Sequence, residues 1–351
     1  MKMKLLILTQ KVDINDSVLG FMHGWIAAFA KKCNQVTVVC LEKGEDSLPV
    51  NVKVLSLGKE QGGSKIKYLA NFYKYLWRER RNYDRVFVHM NYEYVILGGI
   101  FWRLLGKKIG LWYAHGYAPF GLKIAGKLAN IVFTSTKSGC RINSHKINII
   151  GQGIDTDKFI ISSLEFRIKN RNKIISIGRI SPSKDYETLI KAVEILKNNG
   201  VNLTVEIIGG PAMATDKNYF SNLKQQVADK KLTAEIKFIG PVANKEILKF
   251  LQNADLFANM GQTGSLDKAM VEAMSAELPV ITCNEAMLEV LEDYKDLLMY
   301  PKKDSEKLAE KIEYIINLSR EEYRRLGHDL RNIVIEKHSL DKFINKIIVN
   351  L

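Results

Sequence analysis

IISIGRISPSKDYETLIKAVEIL, residues 174–196, is the stretch whose reading decides the fold. An apolar run rich in isoleucine stops at Gly178, a Ser/Pro loop carries Arg179 and Lys184, and from Asp185 onward apolar residues recur at helical spacing. Strand, loop and amphipathic helix make half of a βαβ unit. The loop also gathers two cations and a helix start behind a strand. Backbone N–H groups and the positive helix end favour an anion there, with arginine adding a bidentate fork and lysine a point charge, so a diphosphate fits. An exposed Lys/Arg pair in an ordinary βα loop reads the same locally.

The same grammar extends both ways. Apolar runs fall at Leu5–Leu8, Val36–Leu41, Val52–Leu57, Val86–His89, Lys108–Trp112, Ile131–Ser135 and Ile147–Ile150, with helical spacing between several of them, as in Gly20–Lys32 and Lys65–Arg81. A polar stretch, DTDKFIISSLEFRIKNRN (155–172), interrupts the series. A second series follows, with strands at Lys173–Ile177, Leu203–Ile208, Glu235–Ile239, Leu256–Ala258 and Pro279–Cys283. Helical spacing marks Tyr186–Asn198, Tyr219–Lys230, Asn244–Gln252, Asp267–Ala276, Lys307–Asn317, Arg320–His338 and Leu340–Leu351. Strands joined by crossover helices pair in parallel and are covered on both faces. The expectation is an α/β protein with two doubly wound parallel-sheet domains: residues 1–165, residues 166–336, and a C-terminal helix at 337–351 that could cross back to the first. Two such sheets in tandem would face each other across a cleft, with ligands at the carboxyl ends of the strands.

Composition narrows the function classes. The 351 residues are 46% apolar and 26% charged with seven prolines, which excludes a disordered or collagenous chain. The start, MKMKLLILTQK, lacks the h-region of a secretory signal, and the longest apolar window, Tyr94–Leu105, is broken by Arg103 and falls short of the ~20 residues a spanning helix needs. Cys33, Cys40, Cys140 and Cys283 show no metal-ligand spacing, which fits reduced thiols in the cytoplasm and no metal site. Of the +14 net charge, residues 1–165 hold 24 Lys and Arg against 12 Asp and Glu, and the remainder 28 against 26. The first half therefore faces an anionic partner, or has a lysine-rich solvated surface. The excess concentrates in KIKYLANFYKYLWRERRNYDR (65–85), where aromatics interleave with cations as on a helix at a lipid headgroup layer. An amphipathic core helix with a basic outer face has the same pattern. No nucleic-acid recognition motif accompanies the charge.

Two further segments complete the candidate site. VEIIGGP (205–211) runs a strand into Gly209 and Gly210, where a ligand or merely a tight turn needs bare backbone. In TGSLDKAMVEAMSAELPVITCN (263–284), Gly264 and Ser265 precede a helix that carries Glu272, a carboxylate able to hold a ribose diol or simply a surface glutamate.

Taken in order, these blocks resemble the retaining, nucleotide-sugar-dependent glycosyltransferases of family 4, which have the GT-B fold. The likeness runs from about Asn130 to His338 and adds GQGIDTDKF (151–159), IKFIGPVANKEILKFLQNADLF (236–257) and KHSLDKF (337–343). The resemblance implies that Arg179 and Lys184, in the loop after Gly178, neutralise the donor diphosphate. It implies that Glu272 binds the ribose, backbone at Gly240 to Val242 the base, and Gly264 to Asp267 the transferred sugar. The family usually has a second glutamate eight positions before Glu272, where this chain has Gly264. Asp267, Lys268 and the backbone N–H groups of Ser265 and Leu266 are candidates for its contact.

In the first half, Asp16 and Gly20 follow the first strand and are expected on the acceptor side, and His115 stands where such enzymes often carry a histidine after a strand. An imidazole there could assist a hydroxyl proton or serve only its own loop. His23, His89, His145, His328 and His338 read as structural or exposed, with His89 the most arguable because it also ends a strand. The implied reaction moves a sugar from a nucleotide-diphosphate sugar to a saccharide or lipid-linked acceptor with retention, in polysaccharide or glycolipid synthesis. No metal or other cofactor is expected, and the enzyme would be cytoplasmic or peripheral on the inner face of the membrane. The alternatives are a nucleotide-sugar epimerase of related fold and a non-catalytic GT-B scaffold.

Overall fold

Strand β1 (Lys4–Val12) begins with Leu5, Leu6, Ile7 and Leu8, all buried, and the alternation of their side chains sorts them onto two faces. Leu5 and Ile7 join one core and Leu6 and Leu8 another, so the strand is covered on both sides. The computed structural model describes residues 3–160, 171–262 and 264–351. Among these, the chain divides into two units.

The first unit continues through α1 (Phe21–Lys32), β2 (Gln35–Lys43), β3 (Val52–Ser56), α2 (Lys65–Glu79), β4 (Arg85–His89), α3 (Glu93–Leu104), β5 (Lys108–Trp112), α4 (Phe120–Leu128), β6 (Ile131–Thr134) and β7 (Ile147–Ile149). Its seven strands form one parallel sheet in the order β3-β2-β1-β4-β5-β6-β7. Register is set by pairs such as Leu5 with Val36 and Leu5 with Arg85.

The second unit contains β8 (Lys173–Ile177), α5 (Tyr186–Asn198), β9 (Thr204–Ile208), α6 (Ala214–Asp229), β10 (Ile236–Gly240), α7 (Ile247–Gln252), β11 (Leu256–Asn259), α8 (Lys268–Ser275), β12 (Val280–Thr282) and then α9 (Leu288–Leu291), α10 (Lys295–Leu298), α11 (Ser305–Ile316) and α12 (Arg320–Lys337). Its five strands are parallel in the order β10-β9-β8-β11-β12, over a single continuous core. The last helix, α13 (Leu340–Asn350), belongs to the first unit, where Phe343 lies 4.3 Å from the Trp25 ring and 5.0 Å from that of Trp112.

The boundary expected at 165/166 needs correction. The first unit comprises Met1–Gly153, Ala243–Lys245 and Ser339–Leu351, and the second begins at Ile154. Ile154, just ahead of the stretch read as polar, and Phe159, inside it, are buried in the second unit's core. Arg331 of α12 clamps this segment, donating to the Thr156 carbonyl at 3.1 Å and to that of Phe159 at 3.3 Å. Part of the stretch, residues 161–170, lies outside the described residues. The four cysteines are buried and free, and burial pushes the Cys40 thiol up to about 12. Among the described residues no helix is long and apolar enough to cross a membrane.

Candidate functional site

β8 and β11 are neighbours although β9 and β10 intervene in sequence, so the strand order of the second sheet reverses between them. Loops leaving such a pair diverge, and ligands of open parallel sheets bind beyond the carboxyl ends at that point. The two loops that leave here are residues 178–185 and 260–267.

They are stapled together. The Gln262 N–H donates to the Ser183 carbonyl at 3.2 Å, and Gln262 Nε2 to Asp185 Oδ2 at 2.8 Å. Lys184 Nζ pairs with Asp267 Oδ2. The Lys184 side chain folds back over Gly178, where an added Cβ would stand 3.1 Å from Lys184 Cε. Asp185 has φ +46° and its carboxylate accepts from Thr188 Oγ1 at 2.8 Å, opening α5 directly behind the cation. Arg179 is exposed.

The neighbouring loops are laced to this one through backbone. Gly178 N–H donates to the Ile208 carbonyl, Ile180 N–H to that of Gly210, and Gly209 N–H to that of Gly240, each at 2.9 Å. Gly209 has φ +138°, and a Cβ there would stand 1.9 Å from the Gly178 oxygen, so only glycine fits. Gly178, Gly209, Gly210 and Gly240 therefore meet as bare backbone at the ends of β8, β9 and β10. Val242 follows, half-buried.

Asp267 is the hub of the other side. Its Oδ1 accepts the Ala269 N–H at 3.2 Å, capping α8, while its Oδ2 accepts Asn259 Nδ2 at 2.9 Å as well as Lys184. Asn259, buried, spends its own oxygen on the Gly261 N–H at 3.1 Å and the Thr282 hydroxyl at 3.3 Å. The fixed amide thus orients the carboxylate. Gly264 turns the loop at φ +67° and is buried, and the Ser265 carbonyl accepts Asn284 Nδ2 at 2.8 Å. Leu266 sends its side chain into the core, which leaves only its backbone for a ligand.

Glu272 stands apart from this cluster. It is 3% exposed, and its carboxylate pairs with Lys268 one turn earlier on α8. Lys158 is close enough to interact with both: burial pushes its ammonium below the ordinary value and Glu272 draws it back up.

In the first unit the strand order reverses between β1 and β4. Asp16, after β1, accepts the Val18 N–H at 2.8 Å and the Leu19 N–H at 2.7 Å through Oδ1 and pairs with Lys11 at 3.0 Å through Oδ2. Burial opposes its charge, but these hydrogen bonds and Lys11 hold its carboxyl below the usual value. Gly20 is needed because a Cβ would stand 2.5 Å from the Asp16 carbonyl oxygen. His115 is exposed beyond β5, and its Nδ1 accepts the Tyr117 N–H at 3.0 Å, which leaves Nε2 to carry the proton in the neutral ring.

Four residues near these sites were not assigned from the sequence: Asn259, Gln262, Asn284 and Lys158. Asn259 closes the apolar run Leu256–Ala258, and an amide ending a buried strand is the signal that could have marked it. His89 ends β4 with 3.4 Å between its Nδ1 and Thr9 Oγ1, edge-on to Phe21 and Trp25, and burial lowers its pKa to about 3.

Comparison with known proteins follows the same outline. Residues 159–332 match the family model described as glycosyl transferases group 1. The amylovoran biosynthesis glycosyltransferase AmsK of Erwinia amylovora is 28% identical over 173 residues, 47% of this chain and 41% of the relative. The putative colanic acid biosynthesis glycosyltransferase WcaL of Escherichia coli K12 is 24% identical over 217 residues, 57% of this chain and 51% of the relative. The chain thus spans about half the length of the curated relatives it matches. Among solved structures, Anabaena Alr3699/HepE in complex with UDP and glucose superposes with a TM-score of 0.75 at 17% identity, covering 98% of both chains. That likeness carries the GT-B fold. Over residues 159–332 the chain is thus similar to the glycosyl transferases of group 1, and its two Rossmann-like parallel-sheet units have the GT-B fold.

Proposed function

We propose that this protein is a retaining glycosyltransferase that takes a sugar from a nucleotide-diphosphate sugar and passes it to a saccharide or lipid-linked acceptor in cell-surface polysaccharide or glycolipid synthesis. One observation carries the reading: Lys184, Asp267, the α8 N-terminus and the bare backbone of Gly178, Gly209 and Gly240 converge at the reversal point of the second sheet. Polysaccharide-synthesis names among the relatives and the UDP and glucose of the HepE complex support it.

On this reading the donor diphosphate lies along the 178–185 loop. Arg179 and Lys184 neutralise its charge as the sugar departs, which is electrostatic work that other transferases assign to a cation, so no metal is needed. Asp267, Lys268 and the backbone of Gly264 to Leu266 meet the sugar, and Glu272 meets the ribose once Lys268 turns aside. Gly210 and Val242 border the base. Acceptor attack on the face the leaving group vacates preserves configuration without a carboxylate nucleophile, as glycine at 264 allows. Asp16, Gly20 and His115 are assigned to the acceptor side. The enzyme works in the cytoplasm, peripheral on the inner membrane face, with residues 65–85 against anionic lipid.

The test is a thermal-shift screen of UDP-, GDP-, ADP- and dTDP-sugars on the native protein and on Arg179→Ala/Lys184→Ala. One nucleotide class should raise the native Tm, and the double variant should lose that response. An equal response in both removes the phosphate site.

A further inference from the structure

The apolar window at residues 94–105 is too short to span a bilayer, and the core uses only one side of it. As α3 it buries Tyr94, Val95 and Trp102, while Leu97, Ile100 and Leu104, on the opposite stripe, are 39%, 64% and 83% exposed. α2 repeats the arrangement: Phe72 and Leu76 point inward, and Ile66, Tyr73 and Trp77 are 80%, 44% and 59% exposed. The two outer stripes are neighbours. Tyr73 OH donates to the Leu97 carbonyl at 3.1 Å, and the Trp77 ring lies 6.4 Å from that of Phe101. Together they make one apolar plate, a feature that water-facing surfaces rarely carry without a partner.

The border of the plate is cationic. α2 contributes Lys65, Lys67, Lys74 and Arg78, α3 contributes Arg103, and α4 contributes Lys123 and Lys127. The acids on these three helices are Glu93 and Glu79, and Glu79 is buried with its charge taken by Lys53 and Arg78. Just past α2, the Arg80 guanidinium stacks 4.1 Å above the Trp77 ring. Apolar residues in the middle with Lys and Arg around them match the layering of a bilayer, acyl chains inside a sheet of headgroup charge. A second copy of the chain would bring like charges together at the border and is disfavoured.

We infer that α2 and α3 form a docking face for an anionic lipid bilayer, in which Leu97, Ile100 and Leu104 enter the acyl boundary while the surrounding cations hold headgroups. This deepens the membrane contact proposed above by assigning the inserting residues to α3, and lipid binding is read without any sugar transfer. The two readings therefore fail separately.

The probe is sedimentation of the full chain with vesicles of phosphatidylcholine alone or mixed with phosphatidylglycerol, at 0.1 and 0.5 M NaCl. Trp77 emission is followed in parallel, since Trp25, Trp102 and Trp112 are buried. The protein should bind the anionic vesicles with a blue shift and release partly at high salt. Ile100→Asn/Leu104→Asn keeps the charge and should weaken binding about tenfold or more, with an unchanged melting curve. Equal binding by that variant, binding that ignores phosphatidylglycerol, no binding at all, or poly-glutamate capturing native and variant alike would each overturn the inference. Self-association through the face, seen by sedimentation velocity and abolished in the same variant, would overturn it too.

Discussion

Asp267 shows how much chemistry one carboxylate organises. It caps α8, accepts the Asn259 amide and pairs with Lys184, where the sequence reading offered it only as a candidate sugar contact ahead of a helix. Asp267→Asn keeps a capping side chain and removes only the charge. The half-buried Lys184 then loses its counter-charge, so stability should fall by about 1–2 kcal/mol, read as a lower denaturation midpoint. Nucleoside diphosphate should bind this variant more tightly, measured by calorimetry, because its phosphates no longer compete with Asp267 for Lys184. The loop that carries Arg179 and Lys184 was legible, because an apolar run stops just before it and helical spacing starts just after it. The role of Asn259 was not, because its partners Asp267 and Thr282 reach it only through the path of the loop after β11 and the pairing of β11 with β12.

His89 carries the pH dependence at this scale. Its folded pKa, about 3, lies below the ordinary value of 6.5, so between them the unfolded chain takes up a proton that the folded chain refuses. Its contribution to stability is complete above about pH 6.5 and is lost progressively as pH falls toward 3. The native protein should lose about 2 kcal/mol more than His89→Gln between pH 7 and pH 5, a difference visible in urea unfolding at the two pH values.

Strands were the elements best read from sequence, because an all-parallel sheet buries both faces and writes its strands as unbroken apolar runs. Helix ends were read less well. α6 begins at Ala214, ahead of the expected Tyr219, since the Asp216 carboxylate accepts the N–H groups of Met213 at 3.0 Å and Ala212 at 3.3 Å, fixing a first turn without apolar periodicity. α2 ends at Glu79 where Arg81 was expected, because Glu79 turns inward to Lys53 and Asn82. At the junction of β8 and β9 the decisive residue has no side chain. Gly209→Ala, with a positive φ and a carbonyl in the way, should destabilise the second unit by about 2–4 kcal/mol and abolish any nucleotide-induced thermal shift.

At the scale of the whole molecule, the order of the units was legible and their edges were not. The polar stretch from Asp155 hid Phe159 among charges, with Ile154 just ahead of it, and two buried apolar residues five positions apart are too sparse for periodicity to reveal. The return of the chain in α13 has a measurable weight. Phe343, fully buried between Trp25 and Trp112, should cost about 3–5 kcal/mol when replaced by alanine. All four tryptophans, Trp25, Trp77, Trp102 and Trp112, lie in the first unit, so their fluorescence should report this loss while the second unit's transition, followed by tyrosine emission or hydrogen exchange, stays in place.

Because Phe343, Ile344 and Ile347 complete the core that Leu5 and Trp25 begin, synthesis and folding run out of step. A ribosome releases residues 154–338 before it delivers α13, so of the two units the one that starts earlier in the chain is completed later. Until then the nascent chain carries an open aromatic seam, and that interval is when chaperone capture or aggregation has its opportunity.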